Sequence, residues 1–344
     1  MALDPEPVIA ETADSARYAS ADPAISVLIS TFRRPHYLAG LIDCLEAQDC
    51  DRATFEVVLV DNASNDTTWD ELRARAATTP LAFRAARIGV NGGPATGRNA
   101  ALSLARPPLV AFTDDDTLPE PGWVTAMLRA LEAGDHLVQG RTEPAPGALN
   151  LWNHTVAVRA NSPFFETCNI GYRRDELIAV GGFRPLAGYR AGRGGTPFGG
   201  EDTVAGWHVL RAARAEPTFA SDAVVLHRVE PRDYQGWLHV RKGMAIFPAL
   251  VASVPEMRRH LFWRCFHSPR TAMFDLAVVG LVAALAFRSV FPLLAVVPYV
   301  WIIAPRRGAG RRNRPARIVR VVWGDINAAW SLLRGSIRYR RVVL

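Results

Sequence analysis

Three consecutive carboxylates, Asp114-Asp115-Asp116, directly follow the apolar run Leu109-Val-Ala-Phe-Thr113. Adjacent carboxylates repel one another unless a cation neutralises them. Mg2+ takes one or two protein carboxylates and fills its shell with substrate phosphates and water. In extended chain the side chains at i and i+2 point the same way, so Asp114 and Asp116 can face one ligand. The chemistry suggested is a divalent metal holding a diphosphate; the plainer alternative is an acidic turn that caps a helix near Thr117. A second acidic pair, Glu201-Asp202, opens a helix expected to run to about Ala215, although a helix dipole alone also favours acidic residues there. The pair follows a glycine-rich stretch, residues 188–200, that reads as a mobile lid. His227 ends the run Ala223-Val-Val-Leu-His and is either a hydrogen-bonded histidine or a ligand.

These residues need elements to hold them. Ala24–Ser30 and Phe55–Val60 are apolar at nearly every position and read as strands buried on both faces. Between them, Pro35 opens a helix to about Gln48, with Leu38, Leu41, Ile42 and Leu45 at helical spacing. The result is a right-handed βαβ unit. Asp61 ends its second strand beside the expected position of Thr31, although Asp61 and its neighbours also suit a helix cap near Thr67. Phe83–Arg87 reads as a short strand. Asn91-Gly-Gly-Pro-Ala-Thr-Gly-Arg-Asn99 reads as a glycine-rich turn entering a helix at Ala100–Ala105, with Arg98 offered to phosphate or base. No Gly-Lys-Ser/Thr follows, so it is not a Walker loop. Leu109–Thr113 is a buried strand and a helix starts around Trp123, whose role is packing. Leu137–Gly140 and Thr167–Arg174 are further strands, the latter leading into a helix that stops at Gly181-Gly182. Residues 141–165 suit an acceptor-side loop. The fold class is α/β, and ligands in such sheets collect at the carboxyl ends of the strands.

The ordered set of motifs resembles the inverting family 2 glycosyltransferases. It comprises Ser26–Pro35, Val57–Thr67, Gly93–Asn99, Phe112–Asp116, Asn169–Arg174 with Gly181-Gly-Phe183, and Gly200-Glu-Asp202. The resemblance covers roughly residues 25–227 and implies a GT-A nucleotide-diphospho-sugar transferase fold, a Rossmann-like mixed sheet. It implies donor contacts from Thr31, Arg33, Asp61, Arg98, Asp114 and Asp115, with Asp61 accepting from the base. Mg2+ or Mn2+ would be held by Asp116 and Asp114, with His227 as a further contact. Asp202, beside Glu201, would be the general base. Thr113 stands where the family usually has leucine. The Gln-x-x-Arg-Trp motif of the processive synthases is absent, so one sugar per encounter is expected. Two rivals remain at this point: a nucleotidyltransferase of the same fold class, and a sugar-nucleotide-binding scaffold without catalysis.

The 344 residues carry a net charge of +7, unevenly placed. Residues 258–344 hold sixteen arginines, no lysine and two aspartates, a net +14, which leaves −7 for the rest. Such tails bind nucleic acid or anionic membranes. Here the arginines flank two apolar runs, Ala272–Phe287 and Ser289–Ala304, which favours membrane lipid over nucleic acid. Each run is short against the roughly 20 residues a spanning helix needs. A hairpin dipping into or across the membrane, both ends cytoplasmic, is expected. Gly324–Arg341 reads as a basic amphipathic helix on anionic lipid. The domain expectation is a loosely ordered leader at 1–22 without a secretory signal, a catalytic domain at 23–257 and a membrane-associating region at 258–344. The four cysteines, in no paired spacing, read as reduced thiols. A lipid-linked or envelope glycan acceptor at the cytoplasmic membrane face follows from the tail.

Overall fold

Four strands of mostly apolar residues form the parallel middle of a nine-stranded sheet: β2 (Ile25–Thr31), β3 (Phe55–Asp61), β4 (Ala82–Ile88) and β5 (Leu109–Thr113). The computed structural model describes residues 3, 7–147, 150, 152–186, 199–304 and 314–344. The expected lid at 188–198 and the arginines at 306–312 lie outside them. By contact density the chain divides into one unit of Met1–Asn150 and His154–Glu230, and another of Leu151–Asn153 and Pro231–Leu344. The division thus falls after Glu230, earlier than the Met257 expected from composition.

In the first unit the sheet order is β1-β4-β3-β2-β5-β8-β7-β9-β6. β2, β3 and β5 are buried on both faces, as parallel strands covered by helices must be. Their cover includes α1 (Pro35–Glu46), α2 (Thr68–Thr78), α3 (Pro94–Leu104) and α4 (Trp123–Glu132). Leu38, Leu41, Ile42 and Leu45 form the buried stripe of α1. The register sets Thr31 beside Asp61, so the ends of β2 and β3 are level. β8 (Asn169–Arg173) runs antiparallel to β5, and β7 (Leu137–Pro144) runs between β8 and β9 (Thr218–His227).

Three local expectations differ. Residues Ile9–Asp14, expected to be loose, form β1, an antiparallel edge strand on β4. Helix α3 starts at Pro94 and not at Ala100, because Gly93, at φ 87, turns the chain and Pro94 needs no amide partner in the first turn. Thr117 caps no helix; Thr117–Pro119 is β6, paired with β9 so that Thr117 lies opposite His227.

Two polar residues hold the frame. Glu56, fully buried in β3, accepts from Ser26 Oγ (2.6 Å), Arg106 N (2.9 Å) and Arg106 Nε (2.6 Å), so its charge is fully answered at the sheet's amino end. Asn169 accepts from Trp123 Nε1 (2.8 Å) and donates to the carbonyls of Arg141 (2.8 Å) and Ala223 (2.9 Å), joining α4, β7 and β9. Trp123 is fully buried, as its packing role requires. The cysteines are all unpaired.

The second unit is helical: α7 (Tyr234–Lys242), α8 (Ile246–Ser253), α9 (Pro269–Phe287), α10 (Val297–Ile303) and α11 (Arg314–Tyr339). The helices α5 (Arg174–Ala179) and α6 (Glu201–Ala213) belong to the first unit. A capping box between Ser268 and Thr271 starts α9. Arg270 and Tyr299 both donate to Asp325 Oδ2, at 2.8 and 2.7 Å, joining α9, α10 and α11 through one buried carboxylate. Among the described residues α9 alone is long and apolar enough to cross a membrane.

Candidate active site

The turn Asp114–Asp116 lies between β5 and β6, at the carboxyl end of the parallel strands. Each of its carboxylates accepts from an arginine, and two of them share one. Asp114 accepts from Arg98 (3.2 Å), Asp115 from Thr31 Oγ1 (2.7 Å), and both Asp115 and Asp116 from Arg34 Nη1 (3.0 and 2.8 Å). Asp115 and Asp116 are buried. Burial pushes Asp115 up to about 7 against the pull of Arg34 and Thr31. Burial and the Asp114 charge raise Asp116 as well.

Helix α6 brings the second acidic pair. Gly200, in a left-handed conformation at φ 83, turns the chain into it. Arg98 donates to Glu201 Oε1 (2.8 Å) while holding Asp114, so one buried guanidinium joins the two acidic clusters. Sequence reasoning offered Arg98 to phosphate or base; here both ends of its fork are occupied. Asp202 accepts from Thr203 N (2.8 Å). Burial, then the neighbouring Glu201 charge, raises its carboxyl to about 8. A carboxyl poised there takes up a proton near neutral pH, the requirement of a general base. Phe183 fixes the approach of α3: Asn99 exchanges two 2.9 Å hydrogen bonds with its backbone, and a Cβ on Gly182 would strike Asn99.

His227 is buried with Nδ1 2.9 Å from the carbonyl of Arg228. A carbonyl only accepts, so Nδ1 carries a proton; the other ring nitrogen, Nε2, lies 3.5 Å from Asp116 Oδ1. This donor set, one carboxylate oxygen and one imidazole nitrogen, fits a divalent cation whose remaining ligands are phosphate and water. Among the described residues no group of three His, Cys, Asp or Glu suited to a metal forms, and Asp114, the other expected metal contact, is held by Arg98.

A second patch lies where β3 ends against α3. Asp61 is fully buried; its Oδ1 accepts from Ser64 N (3.0 Å), and its Oδ2, 3.4 Å from Arg87 Nε, accepts no hydrogen bond. Asn62 donates to the Gly93 carbonyl (2.8 Å), while Asn62 Oδ1 and Thr96 Oγ1 are also buried without partners. Buried polar atoms without partners are rare, and three of them lie on Asp61, Asn62 and Thr96. Arg33 is apart from these groups: its amide donates to Ser64 Oγ (2.9 Å), but its exposed side chain rests on the Phe32 ring. Its neighbour Arg34 is the arginine that enters the site. Pro35 at the start of α1 gave a signal for that, since it fixes the preceding residue beside the strand end. Glu230, which accepts from Arg34 Nη2 (2.6 Å), had no sequence signal.

Comparisons with known proteins bear on the family likeness and on the fold. Residues 26–187 match the family Glycosyl transferase family 2. The uncharacterized glycosyltransferase YfnE of Bacillus subtilis is 37% identical over 113 residues, 33% of this chain and 28% of that protein. A validoxylamine A glucosyltransferase of Streptomyces hygroscopicus is 32% identical over 124 residues, 36% of this chain and 27% of that protein. The matches thus span about a quarter of each curated relative. The mannosyltransferase PcManGT from Pyrobaculum calidifontis, solved with GDP-Man and Mn2+, superposes with a TM-score of 0.55 at 18% identity, covering 95% of this chain and 90% of that one. The fold is therefore that of the GT-A glycosyltransferases. On that fold, residues 26–187 are similar to the family 2 glycosyltransferase domain.

Proposed function

We propose that the protein is a metal-dependent inverting glycosyltransferase, moving one sugar from a nucleotide-diphospho-sugar to a lipid-linked or envelope glycan at the cytoplasmic membrane face. The observation that carries this reading is the Asp114–Arg98–Glu201 bridge. It ties the carboxylate turn, suited to a diphosphate and its cation, to the helix start that bears a carboxyl raised to about 8. Asp202 accepts the proton of the acceptor hydroxyl as that oxygen bonds to the anomeric carbon. The bond from that carbon to the diphosphate oxygen breaks on the opposite face, which gives inversion. A divalent cation on Asp116 and His227 would offset charge on the departing diphosphate. Thr31 and Arg98 hold Asp115 and Asp114 in place, and the unpartnered atoms of Asp61, Asn62 and Thr96 are suited to a nucleoside.

The membrane half rests on the second unit. The α11 residues Val319, Trp323, Ile326, Trp330, Leu333 and Ile337 are exposed at alternating four- and three-residue spacing, a continuous apolar stripe among arginines. The test is nucleoside-diphosphate release from a panel of sugar nucleotides with Mn2+ or Mg2+ and membrane lipid extract. Metal-dependent release of the nucleoside diphosphate from one donor is expected. Pyrophosphate release would replace this reading with nucleotidyl transfer, and donor binding without turnover would replace it with a scaffold.

A further inference from the structure

The carboxylate turn already holds a cation, and it belongs to the chain. Two buried carboxylates side by side are costly unless paired. Arg34 Nη1 answers both Asp115 (3.0 Å) and Asp116 (2.8 Å), while Nη2 is tethered to Glu230 (2.6 Å). The Asp116 oxygen that Arg34 takes is Oδ2; Oδ1 lies 3.5 Å from His227 Nε2. Arg34 is also the most exposed member of the group. Its side chain is 35% exposed while those of Asp115 and Asp116 are 6% and 7% exposed, and the Tyr37 ring lies 5.8 Å from its guanidinium carbon. The Glu230 contact would keep the arm nearby when Nη1 lets go.

We propose that Arg34 is the resident counter-cation of the donor-free site, and that it must release Asp116 before a divalent metal can bind there. The proposal rests on the metal-dependent reading above. Its consequence is that metal alone binds weakly, and binds well only with a diphosphate, which supplies both metal ligands and a new partner for the freed guanidinium. A carboxylate engaged nine-tenths of the time weakens apparent metal affinity about tenfold.

The test is Mn2+ titration of the full chain, followed by electron paramagnetic resonance, without and then with UDP or GDP. Arg34→Met should bind Mn2+ alone about tenfold more tightly than the parent, and its melting temperature should rise more on adding Mn2+. Glu230→Gln keeps the cation but frees its tether, and should tighten Mn2+ binding by a smaller factor; it also serves if Arg34→Met folds poorly. Asp116→Asn should abolish the signal. Mn2+ binding that is lost in Asp116→Asn but unchanged in the Arg34 and Glu230 variants would overturn the proposal and leave the metal reading standing. No Mn2+ binding by any form, with or without nucleotide, would overturn both and leave Arg34 as a permanent counter-ion.

Discussion

The two units of this chain dispose of their apolar residues in opposite ways. Among the described residues of the first unit, only Val8 and Val90 are large, apolar and exposed; every other such side chain lies in the second unit. The first unit closes a core around its sheet and, where β3 ends against α3, gathers three buried atoms without a hydrogen bond: Asp61 Oδ2, Asn62 Oδ1 and Thr96 Oγ1. The second buries Leu250, Val254, Met257 and Leu332 and a cluster around Phe274, Ala277 and Tyr299, and answers its central carboxylate, Asp325, from two helices. One region gathers unpaired polar atoms at a strand end, and the other exposes apolar side chains along its helices. An exposed apolar surface of that extent marks an interaction site. If the contrast is functional, damage to each should be separable. Asp202→Asn should lower transfer by about 10²- to 10⁴-fold, the range for a lost general base, with donor binding and lipid binding intact. Loss of lipid binding in that variant would break the division.

Stability sharpens the contrast next. Trp123→Ala, deep in the first unit, empties a packed site and orphans Asn169, and should cost about 3–5 kcal/mol in denaturant unfolding. Trp301→Ala, at 83% exposure in α10, should stay within about 0.5 kcal/mol. Equal losses would mean that the second unit is packed as the first is. The pH dependence has a fixed sign. Asp202 works as a base only when ionised, and burial has raised its carboxyl to about 8. Therefore kcat/KM should fall about tenfold per pH unit below 8, roughly a hundredfold by pH 6, and level off above it. The same shift means the folded chain keeps a proton that the unfolded chain loses near pH 4. That contribution to stability is full below pH 4 and is lost as pH rises to about 8.

What could be read from sequence was the periodic and the local. The all-apolar strands at Ile25, Phe55 and Leu109 stated their burial in composition, and the carboxyl-end rule then located Asp61 and Asp114–Asp116. Fragments defined by tertiary pairing were not legible. The segment Ile9–Asp14 alternates weakly and becomes a strand only because β4 offers an open edge. Pro94 could not be recognised as a helix start without knowing that Gly93 takes a positive φ. In the site, the residue types were visible but their pairing was not. Arg98, expected to face phosphate, bridges Asp114, 16 residues away in the chain, and Glu201, 103 residues away. Arg34 was passed over for Arg33 because a one-residue difference next to a turn reverses which side chain faces inward.

The smallest effect concerns the unpartnered surface of the second unit. The exposed stripe on α11 repeats at three- and four-residue intervals, the spacing of a coiled-coil seam, so a second copy of the chain could cover it as well as lipid. Charge decides between them. Residues 258–344 carry a net +14, and of their two aspartates Asp325 is buried against Arg270. Two such surfaces repel, while an anionic bilayer attracts each arginine near it by about 1 kcal/mol. Trp323 and Trp330 suit the interfacial layer, where an apolar ring and a polar N–H are both satisfied. Trp330→Asp should therefore reduce binding to phosphatidylserine-containing vesicles about tenfold and leave transfer to a water-soluble acceptor unchanged. Binding of the parent should weaken with salt and on replacing the anionic lipid by a neutral one. A sedimentation-defined dimer that Trp330→Asp dissociates, with no vesicle binding by the parent, would assign the stripe to self-association instead.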